Sequence, residues 1–224
     1  MRIIDQSYEL KLLADFPTQA KLIEFCGRTA YQSEDAITES SAPKFIEMIN
    51  KRNHKAVLEH SIMTVKFITN RGVTHEIVRH RIASFTQEST RYCNYSKGKF
   101  DSQCTFIRPP EVNRGVLGDW QGTLPDLLDD ETGDLEWAMA MNDAELHYMR
   151  LITKEWTPQR ARGVLPNDLK TSITMTANFR EWLHFFQLRA VEKAAHPHMR
   201  ALTIPLYEEC RTRAPYLFDL GDPE

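Results

Sequence analysis

Segments with the patterns of strands and of helices alternate irregularly along this chain, and that order limits the folds it can adopt. The clearest strand runs from Ser61 to Ile68, where β-branched and apolar residues concentrate, and another is predicted from Ile173 to Ala177. Two helices are expected before the first strand, from Thr18 to Cys26 and from Ser41 to Ile49. This order is consistent with the α+β class.

Further elements follow from apolar spacing and turn residues. A turn at Asn70-Arg71-Gly72 is predicted to end the first strand. The helical period that restarts at Val73 then places Arg79-His80-Arg81 in the last turn of a helix, from which the chain enters a loop or strand. A long amphipathic helix is predicted from about Leu135 to Trp156, and Pro158 is expected to stop it.

The second half of the chain begins with a polar stretch. Residues 117–135 are rich in Asp, Gly and Thr, which predicts a solvated surface insertion without an assigned role. Asn178 is expected to cap a helix with a largely aromatic apolar body. His196-Pro197-His198 is predicted to be a break before a final helix from Met199 to Cys210, in which Pro205 would cause a kink.

Composition excludes several classes of protein. The chain of 224 residues has 42% hydrophobic and 26% charged residues, as in an ordinary globular protein, and its length favours one domain over residues 1–224. Because no apolar run reaches the roughly 18 residues of a membrane helix and no signal-peptide pattern is present, a cytoplasmic protein without membrane contact is expected. The net charge of −3 argues against nucleic-acid binding. The four cysteines form no C-x-x-C pair, so reduced thiols are expected.

The segment from Arg79 to Arg91 carries the strongest chemical signal. It contains three arginines, one histidine and two serines among small or apolar residues. Guanidinium groups bind phosphate oxygens in pairs, and serine hydroxyls add short neutral donors, so the pattern predicts a phosphate-binding segment. The alternative is a charged helix end, whose arginines are solvated and favour the helix dipole.

The order Arg79-His80-Arg81-x-x-Ser84 followed by Ser89-x-Arg91 resembles the motif that defines the flavin-dependent thymidylate synthases. The resemblance covers roughly His54 to Arg213. Outside the motif it rests on His54, Glu59-His60, Arg162, Leu165-Pro166, Asn178, His184 and Arg189.

The resemblance implies one site for FAD and one for dUMP. The residues implied at the flavin are His54, Glu59, Arg79, His80, Arg81, Ile82, Gln87, Asn178 and His184. Those implied at dUMP are Glu76, Gln87, Glu88, Ser89, Arg91, Arg162 and Arg189. Arg189 is also the candidate catalytic residue, because a cation near the uracil would stabilise negative charge that develops on the pyrimidine carbonyls.

Fold, assembly and reaction are implied in the same way. The family has a twisted, largely antiparallel sheet flanked by helices, and it forms homotetramers whose active sites are shared between subunits. The implied reaction transfers the methylene group of 5,10-methylenetetrahydrofolate to C5 of dUMP, with hydride passing from NADPH through FAD, and releases tetrahydrofolate. FAD supplies the redox chemistry while the protein positions the ligands.

Other interpretations are left open by the sequence. One alternative is a flavin- or nucleotide-binding protein without enzymatic turnover. A second is a protein that binds the phosphates of nucleic acid, which the acidic net charge disfavours. No metal is expected at His196-Pro197-His198, because two histidines supply at most half of a tetrahedral shell.

Overall fold

The computed structural model describes residues 1–120 and 131–223. The chain divides into two compact units, each assembled from three separate segments. The first unit contains Met1–Ser7, Phe67–Arg79 and Thr86–Ile173, and the second contains Tyr8–Lys66, His80–Phe85 and Thr174–Glu224. The expectation of one domain is not tested by this division and stays a prediction.

Within the described residues the strands form two sheets. The strands are β1 (Arg2–Ile4), β2 (Ser7–Lys11), β3 (Ile62–Asn70), β4 (Ala83–Gln87), β5 (Thr105–Ile107), β6 (Gly118–Asp119) and β7 (Lys170–Asn178). One sheet has the order β5-β1-β6 and the other has the order β2-β3-β7-β4. In the first sheet, β1 is parallel to β5 and antiparallel to β6. The predicted α+β class, an antiparallel sheet flanked by helices, is confirmed.

Helices provide the remaining regular structure. They are α1 (Phe16–Thr29), α2 (Ala42–Lys51), α3 (Arg71–Ile77), α4 (Asp134–Thr153), α5 (Pro158–Ala161), α6 (Phe179–Phe186), α7 (Pro197–Arg213) and α8 (Pro215–Phe218). A π-helical segment, Gln187–Val191, continues directly from α6. Shorter 3₁₀ turns lie at Glu34–Ala36, Lys55–His60, Gly98–Phe100, Arg114–Val116 and Arg162–Val164. In residues 1–120 and 131–223, no helix combines the length and the apolar character needed to cross a membrane.

The capping of α3 determines where the motif segment begins. Asn70 Oδ1 accepts a hydrogen bond from the Val73 backbone N–H at 2.7 Å, so the chain passes from β3 directly into α3. The predicted turn at this point is wrong, because the asparagine side chain satisfies a free N–H of the first helical turn. Since α3 ends at Ile77, the segment Arg79-His80-Arg81 follows the helix and does not form its last turn. As predicted, the chain then enters a strand, β4.

A second cap and an aromatic core fix α6. Asn178 Oδ1 accepts from the Glu181 backbone N–H at 2.9 Å, which confirms the predicted cap. Trp182, Phe185 and Phe186 are fully buried on this helix. The Trp182 indole also donates to the Met63 carbonyl at 2.9 Å. These contacts hold α6 in one orientation and thereby position the polar residues between its aromatic ones.

Three other helix boundaries differ from the sequence predictions. Helix α1 begins at Phe16 because Asp15, and not Thr18, is its cap, accepting from the Thr18 N–H at 2.8 Å. Helix α4 ends at Thr153, and Pro158 begins α5. The predicted break is confirmed at His196, which caps α7, but it is wrong for Pro197 and His198, because a proline fits the first turn of a helix, where a missing N–H costs nothing. The proline at 205 lies inside α7.

The two ends of the polar stretch 117–135 are part of the folded structure. Gly118–Asp119 forms β6, and Asp119 Oδ2 accepts from Arg2 Nη2 at 3.0 Å. Asp134 begins α4 and is buried, and its Oδ2 accepts from the Asn113 N–H at 3.1 Å. Gly118 and Asp119 are exposed, whereas Asp134 is buried, and the surface insertion stays a prediction. Residues 121–130 of the predicted insertion lie outside the described residues.

Candidate functional site

A buried polar cluster lies in the second unit. His80 Nδ1 is 3.1 Å from Glu181 Oε1, and Arg189 Nε donates to His80 Nε2 at 3.2 Å. His184 Nδ1 is 3.4 Å from the same Glu181 oxygen. His80 and Glu181 are only 4% and 6% exposed, so their bonds are shielded from water. Three predicted site residues thus form one cluster with Glu181, a residue that was not among the sequence predictions.

The hydrogen-bond directions define the protonation state of His80. A guanidinium N–H can only donate, so His80 Nε2 must accept and carries no proton. The ring proton is therefore on Nδ1, where it faces the Glu181 carboxylate. Burial lowers the pKa of His80 below its ordinary value, and the nearby charges of Arg189 and His184 act in the same direction, whereas Glu181 opposes them. The cluster consists of a neutral imidazole between a carboxylate and a guanidinium.

Arg189 lies in the π-helical segment Gln187–Val191. Short π-helical turns within α-helices occur frequently at functional sites. The Arg189 carbonyl accepts from Thr203 Oγ1 at 2.6 Å, and Thr203 is fully buried. The backbone of the candidate catalytic residue is therefore anchored where the helix is irregular.

A cavity of about 570 Å³ in the second unit adjoins this cluster. Predicted flavin residues Glu59, Ile82, Asn178 and His184 line it, together with Glu181 and others. Ile82 is 69% exposed, so its apolar surface is accessible beside this cavity. The mixture of apolar surface and a few polar groups is typical of a small-molecule site.

The remaining predicted flavin residues of the second unit are His54 and Arg81, and both are exposed. His54 lines another cavity, of about 730 Å³, with residues of α1 and α2. Its chain neighbour Lys55 lines the 570 Å³ cavity. The structure therefore places His54 beside the chain segment that borders the candidate flavin cavity, although not in its lining.

In the first unit, Gln87 and Glu88 are engaged by protein groups. Gln87 Nε2 donates to Thr74 Oγ1 at 3.0 Å. Glu88 accepts from Lys170 Nζ at 2.7 Å and from the Tyr95 hydroxyl at 3.2 Å. A ligand that uses either side chain would therefore have to share it with these partners.

The second half of the motif contacts residues that are distant in sequence. Arg162 Nη1 donates to Thr90 Oγ1 at 3.0 Å, and Arg91 Nε donates to Gln159 Oε1 at 3.0 Å. Ser89 Oγ accepts from the Arg91 backbone N–H at 3.3 Å. The structure thus brings three predicted dUMP residues, Ser89, Arg91 and Arg162, to one region of the first unit.

Arg71 is a candidate site residue that the sequence analysis missed. It lines a cavity of about 240 Å³ with Thr90 and Arg162. Arg71 Nη1 is buried and has no hydrogen-bond partner among the described residues. A buried guanidinium N–H without an acceptor is unfavourable, so this atom indicates a place for an anion. The sequence had assigned Arg71 to a turn, and only the capped start of α3 reveals its position.

Of the last two predicted residues, Glu76 lies in the last turn of α3 and Arg79 follows the helix, and both belong to the first unit. The Arg79 N–H donates to the Glu76 carbonyl at 3.1 Å, and the Arg79 side chain is exposed.

Of the dUMP residues, Arg189 belongs to the second unit and the others belong to the first. Of the flavin residues, Arg79 and Gln87 belong to the first unit and the others to the second.

His80, Glu181 and His184 also satisfy the spacing of a metal site, since their candidate ligand atoms lie within 4.8 Å of one another. The same atoms are already used in the hydrogen bonds of the cluster. In addition, the guanidinium of Arg189, which bonds to His80, would repel a cation. Hydrogen bonding accounts for this arrangement, and the absence of a metal stays a prediction.

An α+β fold with arginines grouped around small cavities defines a protein suited to anionic ligands. Residues 11–216 match the family described as thymidylate synthase complementing protein. A flavin-dependent thymidylate synthase of Corynebacterium efficiens is 31% identical over 210 residues, covering 88% of this chain and 77% of the relative. A flavin-dependent thymidylate synthase of Mycobacterium sp. (strain JLS) is 33% identical over 211 residues, covering 89% and 78%. The chain belongs to the flavin-dependent thymidylate synthase family.

Solved structures show the same fold. The UMP/dUMP methylase PolB from Streptomyces cacaoi, bound with 5-Br dUMP, matches with a TM-score of 0.76 and 22% identity, covering 98% of this chain and 96% of that chain. PolB bound with 5-Br UMP matches with a TM-score of 0.72 and 18% identity, covering 98% and 95%. At these identities the likeness establishes the architecture alone.

Proposed function

We propose that this enzyme converts dUMP to dTMP by reductive methylation in the cytoplasm. The carbon donor is 5,10-methylenetetrahydrofolate, NADPH reduces FAD, and tetrahydrofolate is released. Membership of the flavin-dependent thymidylate synthase family supports the reaction class and a flavin cofactor. The observation in this chain that carries the nucleotide assignment is the arginine-lined cavity of Arg71, Thr90 and Arg162.

The phosphate of dUMP is assigned to that cavity and to the adjacent Ser89 and Arg91. A phosphate would give Arg71 Nη1 the acceptor that it lacks among the described residues. Guanidinium–phosphate bonds are charge-assisted and therefore stronger than bonds between neutral groups. The hydroxyls of Ser89 and Thr90 would add neutral donors. Gln87, Glu88 and Glu76 complete the proposed nucleotide site of the first unit.

The flavin is assigned to the cavity of about 570 Å³ in the second unit. Its lining fits FAD chemically, because Ile82 and Leu183 offer apolar surface to a ring system, and Lys55 and Arg180 offer cations to a pyrophosphate. Glu59, Asn178 and His184 would contribute polar contacts, and His54, Arg79, His80, Arg81 and Gln87 complete the proposed set. When bound, FAD supplies the hydride that NADPH delivers.

Formation of dTMP from dUMP is the direct test. The purified protein should be yellow, and chromatography should detect dTMP only when dUMP, 5,10-methylenetetrahydrofolate and NADPH are all present. UMP in place of dUMP is a control for the sugar. A yellow protein that binds dUMP but forms no dTMP would instead be a flavin- and nucleotide-binding protein without turnover, and the proposal would be wrong.

We also propose a homotetramer, and light scattering should give a mass about four times that of the 26.0 kDa chain. Large apolar side chains on the second unit support self-association, because Leu22, Phe25 and Tyr31 are 46%, 55% and 73% exposed. Burial of such a surface between copies would remove it from water. A monomer that binds FAD stoichiometrically would contradict this part of the proposal.

Cys93→Ala is expected to retain dTMP synthesis within about tenfold of wild type, a loss of no more than about 1.4 kcal/mol. Cys93 lies two residues after Arg91 and could be mistaken for a nucleophile. Burial, followed by the negative charge of Glu88, raises the pKa of its thiol, which disfavours the reactive thiolate. Cys26→Ala is the matched control. A Cys93→Ala enzyme that binds flavin and dUMP normally yet forms no dTMP would refute a mechanism without an enzyme thiolate.

A further inference from the structure

We propose that Glu181 is a positioning residue that orients the Arg189 guanidinium through the neutral ring of His80. The inference rests on the proposed function, because it assumes that Arg189 acts at the uracil of dUMP. It also gives the His80 side chain a role in addition to its proposed place in the flavin site. Both ring nitrogens of His80 are engaged by protein groups, Glu181 on one side and Arg189 on the other.

The direction of the hydrogen bonds fixes the tautomer of His80. Arg189 Nε can only donate, so the lone pair of His80 Nε2 must face it. This is possible only while the ring proton is on Nδ1. The Glu181 carboxylate, which can only accept, selects that tautomer from 3.1 Å away. The Glu181 carboxylate thus fixes the Arg189 guanidinium through the two hydrogen bonds of the His80 ring.

The position of Glu181 supports a role beyond helix stability. It is the third residue of α6, and a glutamate there commonly bonds back to the backbone of the capping residue. Here the cap residue Asn178 bonds to the Glu181 N–H, but the Glu181 carboxylate contacts the rings of His80 and His184. The Glu181 side chain therefore contacts His80, which is distant in sequence, in place of the backbone of its own helix.

Removal of the carboxylate charge should loosen Arg189. An uncharged amide at position 181 can present an N–H to His80 Nδ1 and favour the other tautomer. His80 Nε2–H and Arg189 Nε–H would then face each other as two donors, and this hydrogen bond to the guanidinium would be lost. The long side chain of arginine has many rotamers, so its productive orientation would be populated less often.

The test compares Glu181→Gln with Glu24→Gln. Glu24 is a buried glutamate of the second unit that pairs with Arg28 at 2.7 Å, so it matches the loss of a buried charge. Glu181→Gln is expected to lower kcat for dTMP about 10- to 100-fold, as for a displaced catalytic group. The KM for dUMP, the flavin content and flavin reduction by NADPH without dUMP should each remain within about threefold, by the same reasoning. Glu24→Gln should leave kcat unchanged.

A double-mutant cycle with Arg189→Lys tests whether the two residues act together. In the Arg189→Lys background, Glu181→Gln should lower kcat by less than about twofold, since the group it positions is already gone. Glu181→Asp, which keeps the charge, should retain part of the activity, and Glu181→Ala replaces Glu181→Gln in the cycle if the latter does not fold. Additive effects, or a Glu181→Gln enzyme with wild-type kcat, would overturn the inference. If the wild type forms no dTMP, the proposed function itself fails.

Discussion

Arg189→Ala should lower kcat for dTMP about 10²- to 10³-fold, the usual effect of removing a preorganised group that stabilises developing charge. The Arg189 guanidinium donates to His80, and the Arg189 backbone carbonyl accepts from Thr203. The group is therefore in place before the substrate binds. Substitution by alanine removes the cation but leaves the hydroxyl of Thr203 and the backbone of the π-helical segment. The flavin should therefore remain bound, and its absorbance spectrum should be close to that of the wild type.

Chromatographic measurement of dTMP, with flavin occupancy measured on the same sample, separates lost chemistry from lost cofactor. Arg211→Ala is a suitable control, because Arg211 is a second-unit arginine that pairs with Asp219 at 3.1 Å. That variant should form dTMP at the wild-type rate. An Arg189→Ala enzyme with near-normal turnover would remove Arg189 from the mechanism.

Arg91→Lys should weaken dUMP binding by roughly 1.5–3 kcal/mol, the contribution of a hydrogen bond to a charged group. This corresponds to a dissociation constant about 10- to 150-fold higher. Lysine keeps the charge but loses the planar fork that binds two phosphate oxygens, and it also loses the bond to Gln159. Calorimetry with dUMP measures the change directly.

Arg160→Lys is the matched control for this substitution. Arg160 is an exposed arginine of α5 whose guanidinium carbon lies 4.3 Å from the centre of the Trp156 ring. Its replacement should leave dUMP affinity unchanged. If Arg91→Lys folds normally and binds dUMP as tightly as the wild type, Arg91 has no role at the phosphate.

The sequence was sufficient for the features that depend on local chemistry. The apolar pattern of β3, the cap at Asn178 and the aromatic body of α6 all follow from residues close together in the chain. The order of residues from Arg79 to Arg91 also indicated the correct family, because the spacing of residues within one segment is a local property. Helix boundaries were less predictable. Asp15 and Thr18 are both good capping residues, and the choice between them depends on tertiary packing.

The sequence could not reveal contacts between distant residues. Glu181 is an ordinary N-terminal helix residue until His80, 101 positions earlier, lies beside it. Arg71 resembles a turn residue until α3 directs it to a cavity that it shares with Arg162. For Glu181 the informative property is its buried contact with His80. For Arg71 it is a buried N–H group that has no acceptor among the described residues. The spacing of residues in the sequence reveals neither property.

The number of residues in the π-helical turn after α6 sets the direction in which the Arg189 side chain points. A π-turn accommodates one more residue than an α-turn, and each residue of an α-helix rotates the side-chain direction by about 100°. Loss of one residue from Gln187–Val191 would let α6 continue as a regular helix and would turn position 189 away from His80. Two homologues that both have this arginine in an aligned sequence would therefore place the guanidinium differently if one of them lacked a residue of the segment Gln187–Val191.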